Sequence, residues 1–250
     1  MRIKNILVSQ PQPAELEKSP YSELTKKFNV NVVFRKFIKI EGVPAKEFRK
    51  DRINIPDFTA VIFTSRNAVD HFFRICKEMR VEVPDTMKYF SISESTAYYL
   101  QKYVQYRKRK VFHSKENFST LVELIKKHKS EKFLLPCSDI HKQEIPKMLD
   151  ENKILYKKAI IYRTLASDLT DVDITKFDML VFFSPSGIKS LYKNFPEFEQ
   201  NETAICAFGP STSKAVIEAG LTLNISAPSK TAPSMTMAIE QYLQNELKKK

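Results

Sequence analysis

Glycine is scarce, with four in 250 residues, and no G-x-G-x-x-G or Walker A segment follows any apolar run. That argues against a dinucleotide or triphosphate loop, which needs glycines where backbone meets phosphate. A G-x-S-x-G nucleophile elbow is likewise missing. The three cysteines, Cys76, Cys137 and Cys206, are odd in number and far apart. They suit neither a disulfide framework nor a zinc site and read as buried thiols in a reducing compartment. The four histidines, His71, His113, His128 and His141, show no H-E-x-x-H or similar spacing, so no metal site is expected. No apolar run approaches the ~18 residues of a membrane span. The start, MRIKNILVSQPQP, has too short an apolar stretch for a signal peptide. A cytoplasmic location and no membrane partner are expected.

What is present is an ordinary globular balance, 42% hydrophobic and 28% charged, with a net charge of +12. That excess favours an anionic partner, whether nucleic acid, lipid headgroups or a polycarboxylate metabolite, and charge alone does not choose. Strand candidates are 5-NILVS, 30-VNVVFRKFIKI, 60-AVIFT, 88-KYFSI, 110-KVFHS, 132-KFLLP, 158-KAIIYRT, 179-MLVFFS, 204-AICAFG and 223-LNISA. Helical periods lie between most of them. Val69, Phe72, Phe73 and Cys76 share one helical face, as do Leu121, Leu124 and Ile125, and Ile188, Leu191 and Tyr192. The alternation predicts an α/β fold of parallel sheets covered by helices.

The chain also repeats itself. 61-VIFTSRNAVDHFF pairs with 181-VFFSPSGIKSLYK, 90-FSISESTAYYLQ with 206-CAFGPSTSKAVIE, and 114-SKENFSTLVELI with 229-SKTAPSMTMAIE. 6-ILVSQPQ pairs with 133-FLLPCSD, and 33-VFRKF with 160-IIYRT. Element order is kept throughout, which predicts an internal duplication and two similar α/β domains, with a simple cut near residue 130.

Hydroxyls gather where the predicted strands end: Thr64 and Ser65, Ser91 and Ser93, Ser114, Ser138, Ser184 and Ser186, Ser211 and Thr212, and Ser229. Each precedes or opens a helix, and any one of them reads first as an N-cap. As a set they lie where ligands of open α/β sheets bind, beyond the carboxyl ends of the strands. Cations accompany them at Arg66, Lys115, Lys189, Lys214 and Lys230, and Gly187 and Gly209 permit close backbone approach. Two such rims suit a large acidic ligand.

At these residues the chain resembles the uroporphyrinogen-III synthase family of haem biosynthesis. The resemblance runs over essentially the whole length and rests on FTSRNAV (63–69), IIYRT (160–164), FFSPSG (182–187), AFGPSTSKAV (207–216) and 227-APSKTAPSM. It implies two flavodoxin-like parallel-sheet domains joined by a two-stranded linker, with an inter-domain cleft. It also implies a crossed connection, in which 1–34 plus 165–250 form one domain, 38–160 the other, and about 35–37 and 161–164 the linkers. Ser93 stands where the family often has glycine, while Thr96 keeps the hydroxyl.

The implied activity is a hydro-lyase cyclisation of hydroxymethylbilane to uroporphyrinogen III, with ring D inverted through a spiro intermediate. The implied catalytic residue is Tyr162, a proton donor to the departing hydroxyl, against a plain strand-packing reading. The implied substrate-binding set is Thr64, Ser65, Arg66, Ser93, Thr96, Ser114, Lys115, Ser138, Ser184, Ser186, Gly187, Gly209, Ser211, Thr212 and Lys230. No cofactor is implied, because the pyrroles supply the electrons. A monomer is expected, and a transient contact with hydroxymethylbilane synthase stays open. Arg35 and Arg163 occupy matching linker positions, to meet substrate carboxylates or to pair with acids. Two readings compete. One is a non-catalytic domain of the same fold that binds a tetrapyrrole or another anion. The other is a nucleic-acid-binding protein, drawn from the charge and from 102-KYVQYRKRKVFH-113. That run reads more readily as a helix end leading into a strand, and no nucleic acid partner is expected.

Overall fold

The computed structural model describes residues 3–114, 118–141 and 143–248. Eleven strands among the described residues are β1 (Asn5–Val8), β2 (Asn31–Phe34), β3 (Ile38–Gly42), β4 (Ala60–Phe63), β5 (Lys88–Ser91), β6 (Val111–His113), β7 (Phe133–Ser138), β8 (Tyr156–Ala166), β9 (Met179–Phe182), β10 (Ala204–Phe208) and β11 (Leu223–Ala227). Nine α-helices among the described residues are α1 (Pro20–Phe28), α2 (Ala45–Phe48), α3 (Arg66–Met79), α4 (Glu94–Tyr99), α5 (Phe118–Lys126), α6 (Glu144–Glu151), α7 (Pro185–Asn194), α8 (Pro210–Glu218) and α9 (Met235–Lys248). None of the described helices is long and apolar enough to cross a membrane.

The strands form two sheets, ordered β11-β10-β9-β1-β2 and β3-β8-β7-β4-β5-β6. β2, β1, β9, β10 and β11 run parallel, and so do β8, β7, β4, β5 and β6. In the first sheet, counting its strands in chain order, the spatial order is 2-1-3-4-5, that of flavodoxin-like folds. The second sheet repeats it when β7 and β8 are matched to β1 and β2, and β4, β5 and β6 to β9, β10 and β11. Four of the five repeated segment pairs fall on these matched strands, and the pair starting at 114 and 229 follows β6 and β11.

The chain divides into two compact units. One holds the residues up to Lys39 and those from Leu165 onward, and the other runs from Ile40 to Thr164. The division has a cause in strand pairing. β1 pairs with β9, far along the chain, while β7 pairs with β4, so no sheet ends near residue 130.

Each sheet is buried on both faces, and the two-residue period of a strand sorts its side chains between them. In β4, Val61 and Phe63 join one cluster with Phe72, Ile75 and Cys76 of α3, while Ala60 and Ile62 join another with Leu121 and Ile125 of α5. In β9, Met179 and Val181 pack with Ile239 of α9, and Leu180 and Phe182 pack with Ile188 and Leu191 of α7.

The apolar run at 30–40 does not make one strand. β2 stops at Phe34 and β3 starts at Ile38. Phe37 is the reason: its ring is buried against Phe182, and its carbonyl accepts from Ser167 N–H and from the Ser190 hydroxyl. A strand continuing in register would not direct that residue into the core.

Candidate active site

Parallel strands put all their carboxyl ends on one edge, and this brings scattered hydroxyls together. In the second unit that edge carries, in spatial order, Tyr162, Ser138, Thr64 with Ser65, Ser91 with Ser93, and Ser114. β7 and β8 pair with Ser138 opposite Tyr162. From β8 the Tyr162 side chain reaches past the end of β7 towards β4, so its phenol lies 3.3 Å from Ser65 Oγ. Ser65 is extended, at φ −164° and ψ 162°, and its Oγ accepts from Ala68 N–H at 3.1 Å to cap α3. An oxygen that already accepts from the backbone can still donate its own proton. Donation to Tyr162 would leave the phenol O–H free to donate outward. Tyr162 is buried, and this burial raises its pKa, while the Ser65 hydrogen bond pulls the other way.

Ser138 is a strand-end anchor. Its hydroxyl donates to Asp139 Oδ1 at 2.7 Å and lies 3.2 Å from Thr164 Oγ1. Burial works against the Asp139 carboxylate, but donations from Ser138, Thr164 N–H and Ile140 N–H outweigh it and hold its pKa below the usual value. Ser93 caps α4, accepting from Thr96 N–H at 3.3 Å, and Thr96 is buried beneath it. Ser114 is buried and engaged with Thr120. Arg66 is exposed, with its guanidinium 5.5 Å from the centre of the Tyr99 ring. Thr64 is half-buried beside it. Lys115 lies outside the described residues.

In the first unit the matching edge carries Ser184, which caps α7 by accepting from Gly187 N–H at 3.3 Å. Gly187 is packed closely. A Cβ there would lie 3.2 Å from the Phe182 ring and 3.8 Å from both Ser184 Oγ and Ser9 Oγ. Gly209 opens α8 at φ +89° with no side-chain cap, and Thr212 N–H turns back to the Gly209 carbonyl at 3.1 Å. Pro185 and Pro210 hold the first helical positions and have no N–H to offer. Ser186 and Ser211 therefore supply the leading amides of these helices, and neither amide bonds to another described residue. Thr212 is buried, whereas Ser211 and Lys230 are exposed.

Other expectations resolve differently. Arg35 pairs with Asp171 at 2.6 Å, and Arg163 pairs with Glu47, so both matched arginines meet acids. The run at 102–113 starts at the end of the 3-10 turn that continues α4 and leads through irregular chain into β6, as a helix end before a strand. Its Tyr103 stacks on Phe73 at 4.5 Å and binds Asp70, and its Tyr106 stacks on exposed Tyr98, so both rings have partners within the chain. A cavity of about 820 Å³ opens near the N-terminal ends of β5 and β6, lined by Phe73, Lys77, Met87, Tyr103 and Arg107. It lies away from the hydroxyl-bearing edge.

Three residues of the edge escaped sequence reasoning. His71, considered only as a metal ligand, stacks on Tyr162 with ring centres 5.1 Å apart. His141 donates from Nδ1 to the Ser138 carbonyl at 3.0 Å, which leaves Nε2 buried without a partner among the described residues. Ser9 closes the first apolar run, in 6-ILVSQPQ, where a single serine is no signal by itself. The β1–β9 pairing, in which Ser9 N–H donates to the Val181 carbonyl at 3.0 Å, brings it to the end of β9 beside Gly187.

Comparison with known proteins bears on the family and the fold. The structure is similar to uroporphyrinogen-III synthetase of Helicobacter pylori, at 19% identity and TM-score 0.59, covering 97% of this chain and 100% of that one. It is also similar to a mutant uroporphyrinogen III synthase of the extremely thermophilic bacterium Thermus thermophilus, at 14% identity and TM-score 0.57, covering 99% and 100%. These likenesses establish the shared α/β fold. The family model of uroporphyrinogen-III synthase HemD matches residues 19–237. By that match the chain belongs to the uroporphyrinogen-III synthase family, enzymes of haem biosynthesis.

Proposed function

We propose that this protein cyclises hydroxymethylbilane to uroporphyrinogen III, inverting ring D through a spiro intermediate. The observation that carries the mechanism is the hydrogen-bonded pair of Ser65 and Tyr162 at the strand-end edge. Tyr162 protonates the departing hydroxyl, which leaves as water, and the pyrrole nitrogen stabilises the resulting electrophile as an azafulvene. The substituted α-carbon of ring D attacks it and forms the spiro centre. Fragmentation and reclosure invert ring D, and loss of a ring proton restores the aromatic pyrrole and balances the proton that Tyr162 gave up.

Burial keeps the Tyr162 proton on oxygen at neutral pH, so the group is present as the acid. Donation by Ser65 counters part of that weakness, and the leaving group's own reactivity covers the rest. Leading helix amides and cations suit substrate carboxylates, an acetate and a propionate on every ring: the second unit offers them at α3 and exposed Arg66, and the first unit at α7, α8 and exposed Lys230. Ser65, Ser184 and Ser93 hold the turns in shape. Positioning does most of the work, since unassisted closure gives the uninverted isomer.

The Tyr162→Phe variant tests the assignment. With bilane generated in place, it should still form the type III isomer, but about tenfold more slowly, as expected for loss of one proton donor of modest acidity. Undiminished type III turnover in the folded variant would remove Tyr162 from the mechanism.

A further inference from the structure

Tyr162 is held on three sides, and only one of them is the Ser65 hydroxyl. His71, on α3, lies over the phenol ring with 19° between the ring planes. Arg74, one turn further along α3, donates from Nε to His71 Nδ1 at 3.0 Å. The same guanidinium donates from one terminal nitrogen to the carbonyls of Val43 at 2.9 Å and Ile161 at 3.0 Å. Its other terminal nitrogen binds Glu78 at 2.6 Å. Ile161 C=O belongs to the peptide bond that leads into Tyr162. One side chain therefore grips both the backbone of Tyr162 and the ring stacked on it.

We infer that Arg74 and His71 are positioning residues for Tyr162, fixing the direction in which its phenol donates. The inference rests on the reading of Tyr162 as proton donor. Guanidinium nitrogens only donate, so His71 Nδ1 accepts and its proton stays on Nε2. Burial and the Arg74 charge both keep the imidazole neutral. A neutral ring over the phenol leaves the proton on Tyr162, where an imidazolium would favour the phenolate. The planar fork of Arg74 is matched to this set of acceptors, and a lysine ammonium could not reach all of them.

Gly42 gives access to this device from outside. A Cβ at Gly42 would lie 2.7 to 2.8 Å from three guanidinium atoms of Arg74. The end of a flexible side chain can move aside, so Gly42→Ala displaces the guanidinium without disturbing the core. His71→Phe keeps a ring over Tyr162 and removes the acceptor.

The test measures type III formation for Gly42→Ala and His71→Phe, each alone and combined with Tyr162→Phe, together with the NMR spectrum of protein labelled at tyrosine 13Cζ. Tyr162→Phe identifies the Tyr162 resonance. Each single variant is expected to fold and to lose about tenfold in kcat, with KM changed less than about twofold, because misplacement of an acid acts on the reaction step. Neither should cost more once Tyr162 is Phe, and both should shift the Tyr162 resonance. Equal losses with and without Tyr162, or full activity in both single variants, would overturn the inference. If Tyr162→Phe itself retained full turnover, the donor reading would fail and the spectrum would decide alone. A shifted resonance would then support positioning, and an unshifted one would overturn it.

Discussion

Ser65 uses one oxygen for two purposes. It caps α3 through Ala68 N–H and meets the Tyr162 phenol. The two are separable by substitution. Ser65→Ala removes both and should cost about 1 kcal/mol of stability together with turnover. Ser65→Asp retains a capping oxygen and loses the hydroxyl proton. Its stability should stay within about 0.5 kcal/mol of the parent, while type III formation falls about tenfold, the weight of one hydrogen bond at the transition state. Thermal melts beside initial rates check this, and an Asp variant as active as the parent would contradict the donor role of Ser65. The cap itself was legible, since Ser before an apolar helical period is a local signal. Its contact with Tyr162 was not, because 97 residues separate the two and only sheet order brings them together. His71 was hidden for another reason. Metal spacing was the pattern sought in the histidines, whereas its contacts are a ring face and an arginine.

At the scale of elements, the two repeats solve the same turn differently. Ser93 is extended, at φ −149°, and caps α4 with its side chain. Gly209, its counterpart, sits at φ +89° and ψ 151° and has no cap to give. No glycine is needed at Ser93 because that extended backbone is one any residue adopts. At Gly209 the backbone is one that only glycine adopts without strain. A Cβ would meet nothing within 4 Å, so Gly209→Ala isolates the conformational cost. About 2 kcal/mol is expected, seen as a fall in Tm of roughly 4–8 °C, and an unchanged melt would show that the turn relaxes freely. Strand positions were readable from short apolar runs closed by Ser, Gly or Pro. The break at 35–37 was not, because Phe37 turns into the core through contacts with Phe182, Ser167 and Ser190 that no local pattern announces.

At the scale of the whole molecule, the repeat in sequence becomes a repeat in topology. Two sheets share one strand order, although in the second the matching strands occur in permuted chain order. Sequence pairing reveals that duplication, but the pairing of β1 with β9 and of β7 with β4 is a tertiary fact. Each sheet carries hydroxyls, helix-leading amides and cations along its carboxyl edge, which suits a ligand bearing many carboxylates. The net charge of +12 adds long-range attraction for such an anion. The most direct test is to supply freshly generated hydroxymethylbilane and resolve the type I and type III uroporphyrinogens formed. Predominantly type III is expected, at a rate proportional to protein concentration. Type I alone, at the spontaneous rate and from folded protein, would contradict it and leave a binding protein that has the fold without the chemistry.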